Sequence, residues 1–158
     1  MGVAGSGKST VGRALAQTLG WPFQEGDDLH PPENVARMRA GVPLTDADRV
    51  PWLEAIGAWI DGQAAVRAPG VVTCSALKSR YRAVLTGGRP QVRIVYLRGS
   101  AGLIAGRIAE RPGHFMPASL LDSQFATLEE PAAWEHVLTV EAGRDLAGQV
   151  AEIMSRVA

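Results

Sequence analysis

The stretch Gly2-Val3-Ala4-Gly5-Ser6-Gly7-Lys8-Ser9-Thr10 decides the fold of this chain. It satisfies the pattern G-x-x-x-x-G-K-S/T, with Gly2, Gly7, Lys8 and Ser9 at the required places. Glycines let consecutive backbone N–H groups turn inward around phosphate oxygens, and Gly5 adds one more unencumbered peptide. The lysine reaches the β and γ phosphates, and the serine hydroxyl is a ligand for Mg²⁺. Behind the loop Val11, Ala14, Leu15, Thr18 and Leu19 recur at helical spacing, and Gly20 stands where a helix stop is expected. The positive end of that helix dipole favours an anion. Gly2, Gly5, Ser6, Gly7, Lys8, Ser9 and Thr10 are therefore the candidate nucleotide-binding residues. A plain Gly-rich turn is the other reading of the bare pattern, and the helical run behind Lys8 argues against it.

Downstream, short β-rich runs alternate with helical ones. Trp21–Gln24 is an apolar run that ends in Glu25, Gly26, Asp27, Asp28, Leu29, His30 and Pro31. Such a strand delivers acids to the rim of the sheet, where ligands bind in open α/β folds. An Asp-rich turn capping the next helix is a compatible alternative. Residues 31–40 have helical character, and Thr45-Asp46-Ala47-Asp48 looks like a further helix start, with Pro51 suited to a first turn. Leu53, Ile56, Ile60 and Ala64 supply its apolar stripe, while Trp52 and Trp59 read as core anchors. Val71–Cys74 and Val92–Leu97 read as strands, and helices follow over 77–85, 103–108 and 120–128. Between the last two, Arg111-Pro112-Gly113-His114-Phe115-Met116-Pro117 is a basic, Gly/Pro-bounded loop, a candidate lid. A last strand at Val137–Val140 and a helix over 146–157 close the chain. Alternation with short connections predicts an α/β doubly wound parallel sheet.

Composition bounds the function. The 158 residues, 46% hydrophobic and 20% charged, suit one globular domain over 1–158. Sixteen basic and sixteen acidic residues leave no electrostatic case for a nucleic-acid or polyanionic membrane partner. No apolar run approaches a membrane span and no signal-peptide layout is present, so the cytoplasm is the expected compartment. Cys74, the single cysteine, excludes an internal disulfide and reads as a packed strand residue. Fourteen arginines accompany only two lysines, Lys8 and Lys78. Where the cations are interchangeable this chain uses Arg, so both lysines mark positions where a compact ammonium matters.

Taken together, GVAGSGKST, EGDDLHPPENVARM, PLTDADRVPWL, CSALKSRYR, RPGHFM and SQFATLEEP resemble the bacterial-type gluconokinases, small P-loop kinases related to shikimate kinase. The resemblance runs along nearly the whole chain, and the segments DDLHP, DADRVPWL and CSALK carry its specificity. It implies a P-loop kinase three-layer sandwich with a parallel sheet ordered 2-3-1-4-5, a substrate cap over about 31–67 and a lid over about 111–124. It also implies ATP and Mg²⁺ as cofactors, D-gluconate as substrate and a homodimer. The first, central strand of that sheet would precede Met1, so Met1 is expected to be an internal methionine of a longer natural chain. A shikimate-kinase-like enzyme is the nearest rival, and a catalytically silent ATP-binding module is the reading of another class.

Phosphoryl transfer needs positioning and charge neutralisation, which assigns expected roles. Lys8 and the loop amides hold the phosphates and Ser9 the metal. Asp27 accepts the proton of the sugar's terminal hydroxyl, with Asp28 as runner-up, or reaches the metal through water. Arg49 is the first candidate for gripping the carboxylate, joined by His30, Lys78 and Arg82. Arg107 and Arg111, at the base of the lid, act on the nucleotide and the transferred phosphate. His114 could do likewise or shape the lid, Gln124 is a substrate candidate, and His136 is structural.

Overall fold

The computed structural model describes residues 1–110 and 118–157. In chain order it contains α1 (Lys8–Leu19), β1 (Phe23–Gln24), a 3-10 turn (Gly26–Leu29), α2 (Pro32–Arg39) and α3 (Asp46–Ala65). Then follow β2 (Val71–Val72), α4 (Ser79–Thr86), β3 (Val95–Arg98), α5 (Ala101–Ala109) and α6 (Ala118–Thr127). A second 3-10 turn (Ala133–Glu135), β4 (Leu138–Glu141) and α7 (Leu146–Val157) complete it. The fold is α/β with parallel strands, as alternation predicts.

The strands form two parallel ribbons. In one, Phe23 lies opposite Val71 and Gln24 opposite Val72. In the other, β3 and β4 pair from Val95–Leu138 to Arg98–Glu141. No strand is assigned between the two ribbons among the described residues. Met1 and Gly2 bridge the ribbons instead. The Met1 amino group donates to the Val95 carbonyl, Leu97 N–H donates to the Met1 carbonyl at 3.0 Å, and Gly2 N–H donates to the Ser75 carbonyl at 3.1 Å. Beside this bridge the ribbons part around a cleft of about 780 Å³ lined by Val11, Leu15, Trp59, Val72, Val95 and Ile153.

Three apolar clusters hold the layers. Val11 and Leu15 of α1 pack with Leu97, Val140, Val150 and Ile153. Trp52, Leu53 and Ile56 of α3 pack with Cys74, Tyr81 and Leu85. Val3, Leu77, Ile104 and Leu121 form the floor beneath the phosphate loop. Trp52 is the anchor its position suggests, 1% exposed. Trp59 is only half-buried and lines the cleft.

Two local expectations need correction. Thr45 caps α3 through a capping box with Asp48, which puts Pro51 inside the helix rather than in its first turn. A proline there forfeits a backbone hydrogen bond. Burial of Trp52, Leu53 and Ile56 immediately behind it outweighs that cost. The helix expected from Leu77 starts at Ser79, because Lys78 has extended backbone (φ −103°, ψ 146°) and stands at its cap.

Candidate active site

The phosphate loop has the backbone its glycines predict. Gly2, Gly5 and Gly7 have φ of +145°, +79° and +98°, conformations that L side chains rarely adopt. Gly7 caps α1 with no side chain on the cap and no acid in the first turn, leaving the helix's first N–H groups to an anion. The Lys8 ammonium donates to the Val3 carbonyl at 2.9 Å and so lies along the loop. Ser9 and Thr10 are exposed at the start of α1. Ser6 differs: it is fully buried, and its hydroxyl has no hydrogen-bond partner among the described residues.

Arg107 of α5 reaches the same loop. A Cβ on Gly7 would stand 3.9 Å from its Nη1, and its Nη2 donates to the Ala142 carbonyl at 2.5 Å. Gln124 of α6 accepts from the Ala4 N–H at 2.6 Å, so the structure ties it to the phosphate loop. Arg111 and His114 lie outside the described residues, as does the whole expected lid loop over 111–117; the rest of the expected lid, 118–124, lies on α6.

The acids predicted at a strand's carboxyl end sit on the 3-10 turn directly after β1, with Asp27 and Asp28 exposed. The turn is pinned from two sides. Gly26 N–H donates to Thr73 Oγ1 at 3.0 Å, and Trp52 Nε1 donates to the Gly26 carbonyl at 2.7 Å. Only glycine fits there, since a Cβ on Gly26 would lie 1.8 Å from the Thr73 carbonyl oxygen. His30 stacks on the Trp52 ring, centroids 4.3 Å apart and planes 11° from parallel. Burial lowers the His30 pKa below its ordinary 6.5, the Asp27 charge opposes this and Arg49 adds to it, so the ring is neutral near pH 7.

Arg49, on the first turns of α3, faces Tyr81 with its guanidinium carbon 6.0 Å from the ring centroid. Lys78 Nζ is 5.8 Å from the same centroid. Arg49 is thus felt by both His30 and Tyr81, which joins the acidic turn to the start of α4. Lys8 and Asp27 both act on Cys74, whose thiol burial pushes up to about 11, in keeping with a packed rather than reactive cysteine.

Arg82, expected among the substrate contacts, is engaged within the fold. It is 1% exposed; its guanidinium meets Glu135 at 2.5 and 2.8 Å and the carbonyls of Ala76 and Leu77 at 3.1 and 3.3 Å. These bonds hold α4 to the second 3-10 turn. Arginine in the first turn of a helix beside CSALK looks the same in sequence whether it points outward or inward.

With this geometry, comparison with known proteins is decisive. A model of the shikimate kinase family matches residues 4–133. A gluconokinase of Gluconobacter oxydans is 53% identical over 140 residues, covering 89% of this chain and 79% of that relative. The crystal structure of a gluconokinase from Sinorhizobium meliloti superposes with a TM-score of 0.90 at 49% identity, covering 99% of this chain and 88% of that one. The chain belongs to the gluconokinase family. Its resemblance to a shikimate kinase from Acinetobacter baumannii, TM-score 0.60 at 21% identity, is one of fold: the P-loop kinase fold of the gluconokinase family is shikimate-kinase-like.

The residues present fit the cofactors that a P-loop kinase implies. Positive-φ glycines, the uncapped start of α1 and Lys8 suit a polyphosphate. Among the described residues no group of three or more His, Cys, Asp or Glu could hold a metal ion. Mg²⁺ takes most of its ligands from water and substrate phosphates, so one or two protein groups would serve it. Ser9 and, through water, Asp27 are the protein groups available to it.

Asp46, Arg80 and Tyr81 form a further polar cluster with Lys78, one for which the sequence gives no signal. Asp46 accepts from Lys78 Nζ at 3.0 and 3.2 Å, and from Arg80 and the Tyr81 hydroxyl. In sequence Asp46 is an ordinary helix-start acid, and nothing local reveals partners more than thirty residues away.

Proposed function

We propose that this chain phosphorylates D-gluconate with MgATP, giving 6-phospho-D-gluconate and ADP, as a cytoplasmic homodimer. The observation that carries the reading is the acidic turn after β1: Asp27 sits on it, and Thr73 and Trp52 pin the neighbouring Gly26. Asp27 also acts electrostatically on His30, which stacks on Trp52. The names of the relatives and the 0.90 TM-score to a gluconokinase support the same conclusion.

When bound, MgATP supplies the γ-phosphoryl group and the metal's charge. Asp27 takes the proton of the terminal hydroxyl as that oxygen forms its bond to phosphorus. Lys8, the loop amides and Arg107 hold phosphate charge through the transfer, and Arg111 is assigned to the same task from sequence. Arg49 and Lys78 hold the carboxylate end, and neutral His30 donates or accepts a hydrogen bond from a sugar hydroxyl. Residues of about 31–67 act as the substrate cap and those of about 111–124 as the lid.

Neither rival reading is favoured. The shikimate kinase named above shares only 21% identity, and a silent module has no use for Lys8, Asp27, Arg49 and Lys78 together. The deciding experiment is ADP release by the purified protein with MgATP and D-gluconate, shikimate or AMP. Release with gluconate is expected, and preference for either other acceptor overturns the assignment. Sedimentation equilibrium reads the dimer.

A further inference from the structure

We propose that Asp46, Arg80 and Tyr81 join Arg49 and Lys78 in one subsite that reads the carboxylate end of the sugar acid, with Asp46 as its positioning residue. This rests on the gluconate reading and names which end of the substrate these side chains receive.

Three cations surround one ring. Arg49, Lys78 and Arg80 lie 6.0, 5.8 and 5.6 Å from the Tyr81 centroid. A single carboxylate, Asp46, holds Lys78, Arg80 and the Tyr81 hydroxyl together from the first residue of α3. Of the neighbouring acids, Asp48 is paired with Arg37, and Glu129 accepts from the Ser79 N–H at 2.6 Å and keeps its charge. Even with Glu129 counted, three positive charges face two negative ones, and a substrate carboxylate supplies the missing counter-ion.

Stability alone does not account for the arrangement. Asp46 is 42% exposed and Arg80 59% exposed, and ion pairs so open to water contribute little to folding. Hydrogen bonds from Tyr81 and Lys78 hold the Asp46 pKa down to about 2, so it stays ionised throughout the working pH range. Arg49, which lies over the Tyr81 ring, also acts electrostatically on His30, the residue that follows the Asp27 turn, and so relates the cluster to the turn that carries the expected proton acceptor. Gluconate has the matching polarity, with its reacting hydroxyl at one end of a six-carbon chain and its carboxylate at the other.

Charge and positioning make opposite predictions at Asp46. Removing its negative charge raises the positive field, so bulk attraction predicts tighter binding of an anion. Loss of positioning predicts weaker binding, because Lys78 and Arg80 lose the acceptor that aims them. The test is steady-state kinetics with D-gluconate and its uncharged amide, D-gluconamide. The proteins are wild type, Arg80→Gln, Tyr81→Phe, Asp46→Asn and Asp46→Glu, with KM for ATP as the control for folding.

The wild type should show a KM for the amide at least about tenfold above that for the acid. Arg80→Gln should raise KM for gluconate several-fold, leave that for the amide unchanged and so shrink the preference. Asp46→Asn should raise KM for gluconate more than it lowers kcat, and Asp46→Glu should restore part of the loss. Equal KM values for acid and amide in the wild type would overturn the subsite. So would an unchanged preference in Arg80→Gln and Tyr81→Phe, or a lower gluconate KM in Asp46→Asn. Absence of ADP release with gluconate in the wild type is a different failure, which removes the activity and the subsite with it.

Discussion

The indole N–H of Trp52 donates to the carbonyl of Gly26 at 2.7 Å, tying the second turn of α3 to the residue immediately before Asp27. The same ring carries His30 on its face. One buried side chain thus sets the height of the acidic turn and the plane of its histidine. Trp52→Phe keeps most of the apolar volume and removes the donor. The buried Gly26 carbonyl is then left without this partner, a loss of about 1–3 kcal/mol in urea unfolding. Turnover with gluconate should fall further than KM for ATP rises, because the ring holds Gly26 and His30 beside the acidic turn.

Asp27→Asn tests the proton acceptor. The amide keeps the shape and loses the basicity, so turnover should drop by about a hundredfold or more while ATP binding, read by calorimetry, stays nearly intact. Near-normal turnover would remove Asp27 as the base.

For Arg49 the informative change is to lysine. Charge is retained while the planar, two-pronged donor set is lost, so KM for gluconate should rise by about tenfold with little change in KM for ATP. If ATP affinity alone changed, Arg49 would belong to the nucleotide site.

The Arg82–Glu135 pair is predicted to serve folding. Arg82→Met leaves Glu135, whose side chain is 7% exposed, without its cation, and should destabilise the protein by about 3–5 kcal/mol with gluconate KM unchanged. Hydrogen bonds from Arg82 hold the Glu135 pKa below its ordinary 4.5. Between 4.5 and that lower value the unfolded chain takes up a proton that the folded chain refuses. The pair's stabilisation is therefore complete above pH 4.5 and is lost as pH falls through the folded pKa. Glu135→Gln should flatten that part of the stability curve, measured by unfolding between pH 3 and 6.

Legibility followed the range of the interactions. The phosphate loop is contiguous and its glycine conformations are local requirements, met by the positive φ of Gly2, Gly5 and Gly7. The acidic turn was legible because a short apolar run leads straight into it. Gln124 could only be called a substrate candidate, since its bond to Ala4 spans 120 residues. Pro51 misled for a related reason: a proline suits a first turn by local rules, whereas the Thr45–Asp48 capping box and the burial of Trp52 set the helix start earlier.

By itself the sequence determined the phosphate-binding chemistry, the alternating α/β class and the family, because these depend on contiguous motifs and on periodic burial. Only the tertiary structure decided what each arginine packs against. Arg49, Arg80 and Arg82 have the same side chain and lie near one another in sequence, yet two converge on Tyr81 and one is buried against Glu135. The physical reason is that a guanidinium's role is set by the carboxylate or ring that packing brings opposite it, and those partners come from other elements of the chain.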